Sequence, residues 1–316
     1  MNMFTVRYYS MKRIKMSKKA ILALVIFVLL AGCSKATDQE LWDKLNTAMA
    51  QEKDNWDVKT LETIHELAKR NNSQISQPDF MNRVTTVAVE WIDIKANWTA
   101  DKERSAAMEK VLKRIDSASL LTSLGKKIKE PQKRRKTLAL AEKFKISGYE
   151  GHFLTMLSEQ ADQRMAEDFL YSGNRALSDA GKQWLERKPN AIDNIVFEGA
   201  GYLSDEAAWI NKTEGRRIYD ILKTVRGEVV VDSLARHVLK PEIRLRALFL
   251  GVKLGISGTE ERLNHILVER GDKRMAEDFL NAGSQKLYDG GRAWANTHGY
   301  NILTGMGSHR VSWGTF

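Results

Sequence analysis

Apolar residues recur at three- and four-residue spacing along nearly the whole chain from Thr37 onward, with few continuous β-branched runs. One such face is formed by Leu61, Ile64, Leu67 and Ala68. This spacing is the period of amphipathic helices that bury one side. The pattern therefore predicts an all-α fold in which one helix follows another.

One seven-residue string, Arg-Met-Ala-Glu-Asp-Phe-Leu, occurs twice, at 164–170 and at 274–280. Sliding residues 108–190 onto 218–300 without a gap gives 28 identities in 83 positions, and a one-residue gap extends the match further upstream. Self-similarity at a fixed period is the signature of repeat architectures. We therefore predict an internal duplication, with two copies of a unit of about 110 residues.

Each copy is long enough for about seven helices, which form slightly more than three hairpins of about 35 to 40 residues each. The pattern Pro-x-x-Arg-x-x-x-Leu at 131–138 and at 241–248 resembles the kinked first helix of a HEAT repeat. The segments that end at Trp184 and Trp294 look like the pair of helices that follows it. This resemblance covers most of residues 80–300 and implies a HEAT-like α-solenoid of helical hairpins. A tetratricopeptide array is the alternative, but its regular pattern of small and aromatic residues is not visible.

The last residues, 301–316, depart from the helical pattern, because three glycines interrupt them. A solenoid must cover its final hydrophobic face. We therefore predict a small non-helical C-terminal cap. In the alternative interpretation, Trp313 and Phe316 form an aromatic docking tail.

The N-terminal part contains a short apolar run at 20–30, which two lysines precede. Eleven residues reach only about 16 Å as a helix, which is too short for a hydrocarbon core of roughly 30 Å. The run has the length that is typical of the apolar core of a signal peptide.

The apolar run ends in Leu-Ala-Gly-Cys at 30–33, which resembles the lipobox of bacterial lipoprotein precursors. The resemblance implies cleavage between Gly32 and Cys33 and attachment of diacylglycerol and palmitate-like acyl chains to Cys33. The next residue, Ser34, is similar to the signal for export to the outer membrane of a Gram-negative cell. We therefore expect a periplasm-facing protein that a lipid anchor holds in the cell envelope, with the outer membrane favoured.

These patterns divide the chain into five parts. Translation can begin at Met1, Met11 or Met16, since the residues before Met16 add little to such a signal. The predicted parts are a signal peptide at 1–32, an N-terminal anchor and helical segment at 33–80, copy 1 at 81–190, copy 2 at 191–300, and the cap or tail at 301–316.

The formal net charge of +10 is a feature of many proteins that bind nucleic acid. Six basic residues and no acidic ones precede Cys33, however, so cleavage leaves a charge of about +4. Aromatic residues are also not interleaved with the basic ones, as they are in many proteins that bind single strands. We therefore expect no nucleic-acid partner.

Positive charge is concentrated at 126–145, where nine basic residues oppose two acidic ones. Copy 2 lacks several of these residues, so the repeated fold does not require them. We predict a surface for an anionic partner, such as lipid head groups, lipopolysaccharide or an acidic envelope protein. The alternative is a solvated junction between helices. The candidate binding residues are Lys126, Lys127, Lys129, Lys133, Arg134, Arg135 and Lys136.

The repeated string has a structural and a functional interpretation. In the first, its apolar residues are buried, and Arg164 pairs with Asp168 at i, i+4 on an exposed face. In the second, Glu167 and Asp168 form an acidic patch for a basic partner, which Glu277 and Asp278 repeat in copy 2. The structural interpretation is preferred, because adjacent carboxylates on a helix diverge and do not readily share a ligand.

No local motif for catalysis or metal binding is present. The six histidines lack metal-ligand spacing, Cys33 is the only cysteine, and there is no phosphate-binding loop or nucleophile elbow. Some lipoproteins built from helical arrays are peptidoglycan lytic enzymes, but no glutamate here is followed by serine, as in the catalytic pair of that class. We therefore predict no catalytic residue, no metal and no cofactor.

Together these observations predict a scaffold or adaptor, anchored by lipid, that binds another envelope macromolecule through an α-solenoid surface. One alternative is an envelope enzyme whose catalytic residues are dispersed over several helices. Another is a protective or inhibitory lipoprotein.

Overall fold

The computed structural model describes residues 36–52, 56–93, 101–202, 213–305 and 308–313. These residues are mainly helical until the C-terminal end, which confirms the predicted all-α class. The described α-helices are α1 (Asp38–Glu52), α2 (Val58–Lys69), α3 (Pro78–Asp93), α4 (Lys102–Arg114), α5 (Ser117–Ile128), α6 (Pro131–Phe144), α7 (Tyr149–Gln160), α8 (Gln163–Leu170), α9 (Arg175–Arg187), α10 (Pro189–Tyr202), α11 (Thr213–Thr224), α12 (Gly227–Val238), α13 (Arg244–Leu254), α14 (Thr259–Arg270), α15 (Lys273–Leu280) and α16 (Gln285–Thr297).

Side chains at the helix ends explain where many of these helices begin. Asp116, Asp162 and Asp272 each accept a hydrogen bond from a backbone N–H in the first turn of the next helix. Such N–H groups have no partner within the helix, and a carboxylate also interacts favourably with the positive end of the helix dipole. Pro131 opens α6, where its missing N–H leaves no hydrogen bond unmade.

The helices repeat at the interval of the sequence. Helices α5, α7, α8 and α9 correspond to α12, α14, α15 and α16, whose bounds lie 110 residues later. The same pairs are packed together in both copies, for example α8 on α9 and α15 on α16. Helices α3 and α10 both begin at a proline, at Pro78 and Pro189. The predicted helical repeat is therefore confirmed.

One continuous core runs through the array. Its buried apolar side chains form a single cluster from Leu41, in the helical segment before copy 1, to Val311 near the C-terminus. Helices of a solenoid bury their apolar faces against the next helices along the chain, so neither copy has a separate core.

The C-terminal cap is a two-stranded antiparallel hairpin, with β1 at Tyr300–Gly305 and β2 at Ser308–Trp313. Tyr300 is paired with Trp313 and Gly305 with Ser308. The hairpin packs on α15 and α16, and only 1% of Val311 is exposed. The predicted non-helical cap is therefore confirmed.

Side chains of α15 and of the residue after it hold the hairpin through its backbone. The Asn281 amide donates to the carbonyl of His309 at 2.8 Å and accepts from its N–H at 2.8 Å. The Glu277 carboxylate accepts from the N–H of Val311 at 2.9 Å. In copy 1, the equivalent Glu167 instead contacts Arg217 of α11. The hairpin thus covers the surface of α15 that a following unit would cover.

Replacing Asn281 with alanine is expected to loosen β2 without unfolding the helices, because two hydrogen bonds worth about 1 kcal/mol each are lost. Amide hydrogen exchange at 308–313 should become about thirtyfold faster, while exchange in α5 to α8 stays unchanged. Gln285→Ala is the matched control, since this exposed side chain donates to Asp289 within the same helix and makes no hydrogen bond to the described residues of β2. Equal exchange in both variants would contradict the role given to Asn281.

Candidate functional site

The structure separates the seven basic residues of the predicted anion-binding surface. Lys127 and Arg134 are buried, with 5% and 1% of each residue exposed. The Lys127 ammonium lies 3.6 Å from Glu130, which also pairs with Lys133 at 2.8 Å. A buried and paired cation cannot reach an outside partner. The predicted surface is therefore wrong for Lys127 and Arg134.

The other five residues retain some contact with solvent. Lys126 and Lys129 are exposed at the C-terminal end of α5, and half of the Arg135 side chain is exposed. Lys133 and Lys136 are partly covered and lie within ion-pair distance of glutamates. Binding of an anionic partner by the exposed members of this set stays a prediction.

Arg134 is part of a buried structural cluster. Its Nε donates to the carbonyl of Ile128 at 2.7 Å, and its Nη1 donates to Asp168 at 3.1 Å. Asp168, only 3% exposed, also accepts from Arg135 at 2.6 Å. The predicted pairing of Arg164 with Asp168 on an exposed face is wrong, because packing of α8 on α6 turns this carboxylate inward.

Copy 2 contains the same arrangement, in which Arg244 is buried and Asp278 is partly exposed. Arg244 donates to the carbonyl of Val238 at 2.8 Å and to Asp278 at 3.2 Å. Burial raises the pKa of Asp278, and the charge of Arg244 acts in the opposite direction. Since the arginine, the carbonyl and the carboxylate are repeated 110 residues apart, their role is to join the helices of each copy. The repeated aspartates therefore do not form acidic patches for a partner.

A second ionic cluster joins copy 1 to copy 2. Glu167, only 1% exposed, accepts from Gln163 at 2.9 Å and from Arg164 at 3.2 Å, and it also binds Arg217. Arg217 lies on α11 of copy 2 and donates to Glu214 at 2.6 Å. Burial raises the pKa of Glu167, against the lowering effect of the two arginines. This carboxylate is fully engaged within the chain.

Tyr171 extends the contact between the copies. Its hydroxyl donates to the carbonyl of Arg217 at 2.9 Å, and the Arg135 guanidinium lies over its ring at 5.0 Å. Burial raises the pKa of Tyr171 to about 12. The phenol is therefore a neutral hydrogen-bond donor at physiological pH and has a positioning role.

A basic cavity of about 640 Å³ lies between the α4–α5 junction and the α6–α7 turn. Lys113, Lys143 and Lys145 line it, and Lys113 is paired with Glu109 at 2.6 Å. Burial lowers the pKa of Lys143. Apolar residues such as Leu112 form the rest of the wall, so the cavity combines cations with a hydrophobic floor.

A second cavity, of about 490 Å³, lies between α7 and α9, and we call it the Trp184 cavity. Its walls are about half apolar and half polar, with charged groups at the ends of the helices. The lining residues are Leu154, Leu157, Ser158, Glu159, Ala161, Ala180, Gln183, Trp184, Arg187 and Lys188. Its volume is within the range of pockets that hold small molecules or side chains of partners.

The sequence analysis missed the Trp184 cavity, although the aligned copies contain a signal for it. Trp184 and Trp294 are equivalent, whereas the nearby Ala161 is replaced by Gly271 and Lys188 by His298. Only the packing of the helices shows that these two differences between the copies lie beside the equivalent tryptophans.

Three of the predicted site residues receive no structural description. Gly32, Cys33 and Phe316 lie outside the described residues, so cleavage and lipidation stay predictions. Trp313 is the last residue of β2, and its backbone is paired with Tyr300. The backbone of the predicted docking tail is therefore partly used in the cap.

Among the described residues, no cluster of three or more histidine, cysteine, aspartate or glutamate side chains is placed to hold a metal ion. In the same part of the chain, every helix is too short or too polar to cross a membrane. No protein-family model matches the chain, and neither a curated protein sequence nor a solved structure is significantly similar to it.

Proposed function

We propose that the mature chain is a non-catalytic binding protein, lipid-anchored in the bacterial cell envelope, that docks another envelope macromolecule. It faces the periplasm, and the outer membrane is the favoured location. The lipobox-like sequence that ends at Cys33 supports this location. The helical repeat supports the binding role, because solenoids expose extended surfaces for partners.

The observation that carries the binding role is a difference between the two copies. They share a buried arginine that is paired with an aspartate, and the same helix packing. Their exposed charges differ, since Lys129 and Lys145 of copy 1 are replaced by Leu239 and Gly255 in copy 2. The fold therefore does not need these cations, which leaves them available to an anionic partner.

The test is capture from native envelopes with the lipidated protein and mild crosslinking, at low and at high salt. The Lys126→Glu, Lys129→Glu double variant should recover about tenfold less of the partner, since two attractions become repulsions. Lys240→Glu with Arg246→Glu reverses two cations of copy 2 and is the matched control.

The proposal predicts one envelope macromolecule in near-stoichiometric amount, with normal recovery by the copy 2 control. Equal recovery by both variants would remove the exposed lysines from the binding role. If the wild-type protein retained no macromolecule but turned over an envelope component, the chain would be an enzyme. Capture of a toxin or secretion component that loses its activity would instead indicate an inhibitory lipoprotein.

A further inference from the structure

We propose that the Trp184 cavity binds an aromatic side chain from an extended, acidic segment of a partner protein. Neither Lys126 nor Lys129 lines this cavity. The inference therefore goes beyond the proposed docking by exposed lysines, and either can fail without the other.

Copy 2 shows what the chain itself places on the equivalent tryptophan. Trp294 is only 7% exposed. The His298 ring is stacked on it at a centroid distance of 4.0 Å and an interplanar angle of 18°. The Tyr300 ring is stacked at 5.8 Å and 15°. Stacked rings at such separations add about 0.5–1.5 kcal/mol beyond the burial of their area. The indole of this repeat is thus a platform for flat rings.

Copy 1 lacks the residues that supply these rings. Lys188 and Asn190 occupy the positions equivalent to His298 and Tyr300. Trp184 is only partly buried and forms one wall of the cavity. The Trp184 indole of copy 1 is therefore accessible, whereas other residues of the chain cover the equivalent Trp294 indole of copy 2.

A methyl group beside the tryptophan distinguishes copy 1, which has Ala161, from copy 2, which has Gly271. A Cβ at Gly271 would lie 2.1 Å from the carbonyl oxygen of Leu267 and 2.8 Å from Nε1 of Trp294, closer than such atoms approach in folded proteins, so an alanine requires a shift of the turn after α14, of the indole, or of both. An alanine here is therefore incompatible with the turn and the indole as they lie in copy 2, and copy 1 has Ala161 at this place. Trp184 is thereby kept from packing as deeply as Trp294, and the space between α7 and α9 stays open.

The cavity and its copy 2 counterpart define the chemistry of the occupant. Apolar walls from Leu154, Leu157 and Ala180 favour a ring over a polar group. In copy 2 one of the two stacked rings belongs to Tyr300, the first residue of an extended strand, so an extended polypeptide can deliver it. Arg187 and Lys188 outnumber Glu159 among the charged residues that line the cavity, which favours carboxylates beside the ring. An aromatic anchor in a pocket is also the usual centre of a protein interface.

The test uses ¹⁹F NMR of the lipidated full-length protein in micelles, with 5-fluorotryptophan in place of tryptophan. Trp184→Phe assigns the resonance of Trp184. The probe is the peptide acetyl-Asp-Glu-Tyr-Glu-Asp-amide, and its control has leucine in place of tyrosine. The tyrosine peptide should shift the Trp184 resonance saturably, and the leucine peptide should bind roughly three- to tenfold more weakly. The Trp294 resonance should not move, because its own rings cover it.

Ala161→Gly is the decisive variant, because it removes the methyl group that keeps the Trp184 indole from packing as Trp294 does in copy 2. The Trp184 resonance should move toward that of Trp294, and affinity for the tyrosine peptide should fall about tenfold. No saturable shift of the Trp184 resonance at millimolar peptide would overturn the proposal. Equal binding of both peptides would overturn it too, and so would binding of free N-acetyltyrosinamide as tight as that of the peptide.

Discussion

Replacing Arg134 with alanine is expected to destabilise the folded chain by about 3–5 kcal/mol, because the buried Asp168 carboxylate would lose its buried partner and keep only the half-exposed Arg135. The carbonyl of Ile128 would also lose the donor that lies 2.7 Å away. Urea unfolding of the mature chain, followed by circular dichroism, measures this loss. Arg134→Lys should be nearly as damaging, since a single ammonium cannot reproduce the fork that bonds both groups.

Arg135→Ala is the matched control for Arg134→Ala. Arg135 also contacts Asp168, but half of its side chain is exposed. An exposed ion pair contributes about 0–1 kcal/mol, so we expect a loss in this range. Equal losses in the Arg134 and Arg135 variants would contradict the view that the buried pair joins the helices of copy 1.

Replacing Gly181 with alanine is expected to destabilise the chain by about 1–3 kcal/mol, the range for overpacked cores. A Cβ at this position would lie 2.6 Å from the carbonyl oxygen of Ala166 and 2.7 Å from the nitrogen of Leu170. Both atoms belong to the backbone of α8, so α9 must move away from α8. The same unfolding measurement applies.

Two other glycines provide controls for Gly181→Ala. Gly151 is in α7, and a methyl group added there would have no neighbouring atom within 4 Å, so Gly151→Ala should stabilise the chain by about 0.5–1 kcal/mol through helix propensity. Gly291 is the copy 2 equivalent of Gly181, and its nearest backbone contact is longer, at 3.1 Å. Gly291→Ala should therefore destabilise the chain less than Gly181→Ala does. A stabilising effect of Gly181→Ala would show that α8 and α9 pack less tightly than described.

Local patterns predicted the helices, the duplication and the cap. The spacing of apolar residues and the aspartates before α8 and α15 act over a few residues, so the sequence carries them directly. The register between the copies is also a property of the sequence alone. Predicting these features therefore required no knowledge of which helices pack together.

Burial of charge could not be predicted in the same way. Arg134 and Asp168 are 34 residues apart, and only the packing of α6 on α8 brings them together. Within the basic run nothing local separates Arg134 from the exposed Lys126 and Lys129, although its repetition as Arg244 is a signal that the fold needs it. The basic run was therefore interpreted as one surface, whereas two of its seven candidates are buried in the fold. The Trp184 cavity was missed for a related reason, because one methyl group matters only once its neighbours are known.

The proposed function depends first on the lipid anchor, which decides which macromolecules the chain can meet. The most direct test is intact mass spectrometry of the protein purified from envelopes, with Cys33→Ala as the control. We expect a mature chain that begins at Cys33 and carries a diacylglyceryl group and acyl chains, and an uncleaved, unmodified control. A wild-type chain that retains residues 1–32, or that has an unmodified Cys33, would contradict the lipid-anchored envelope role.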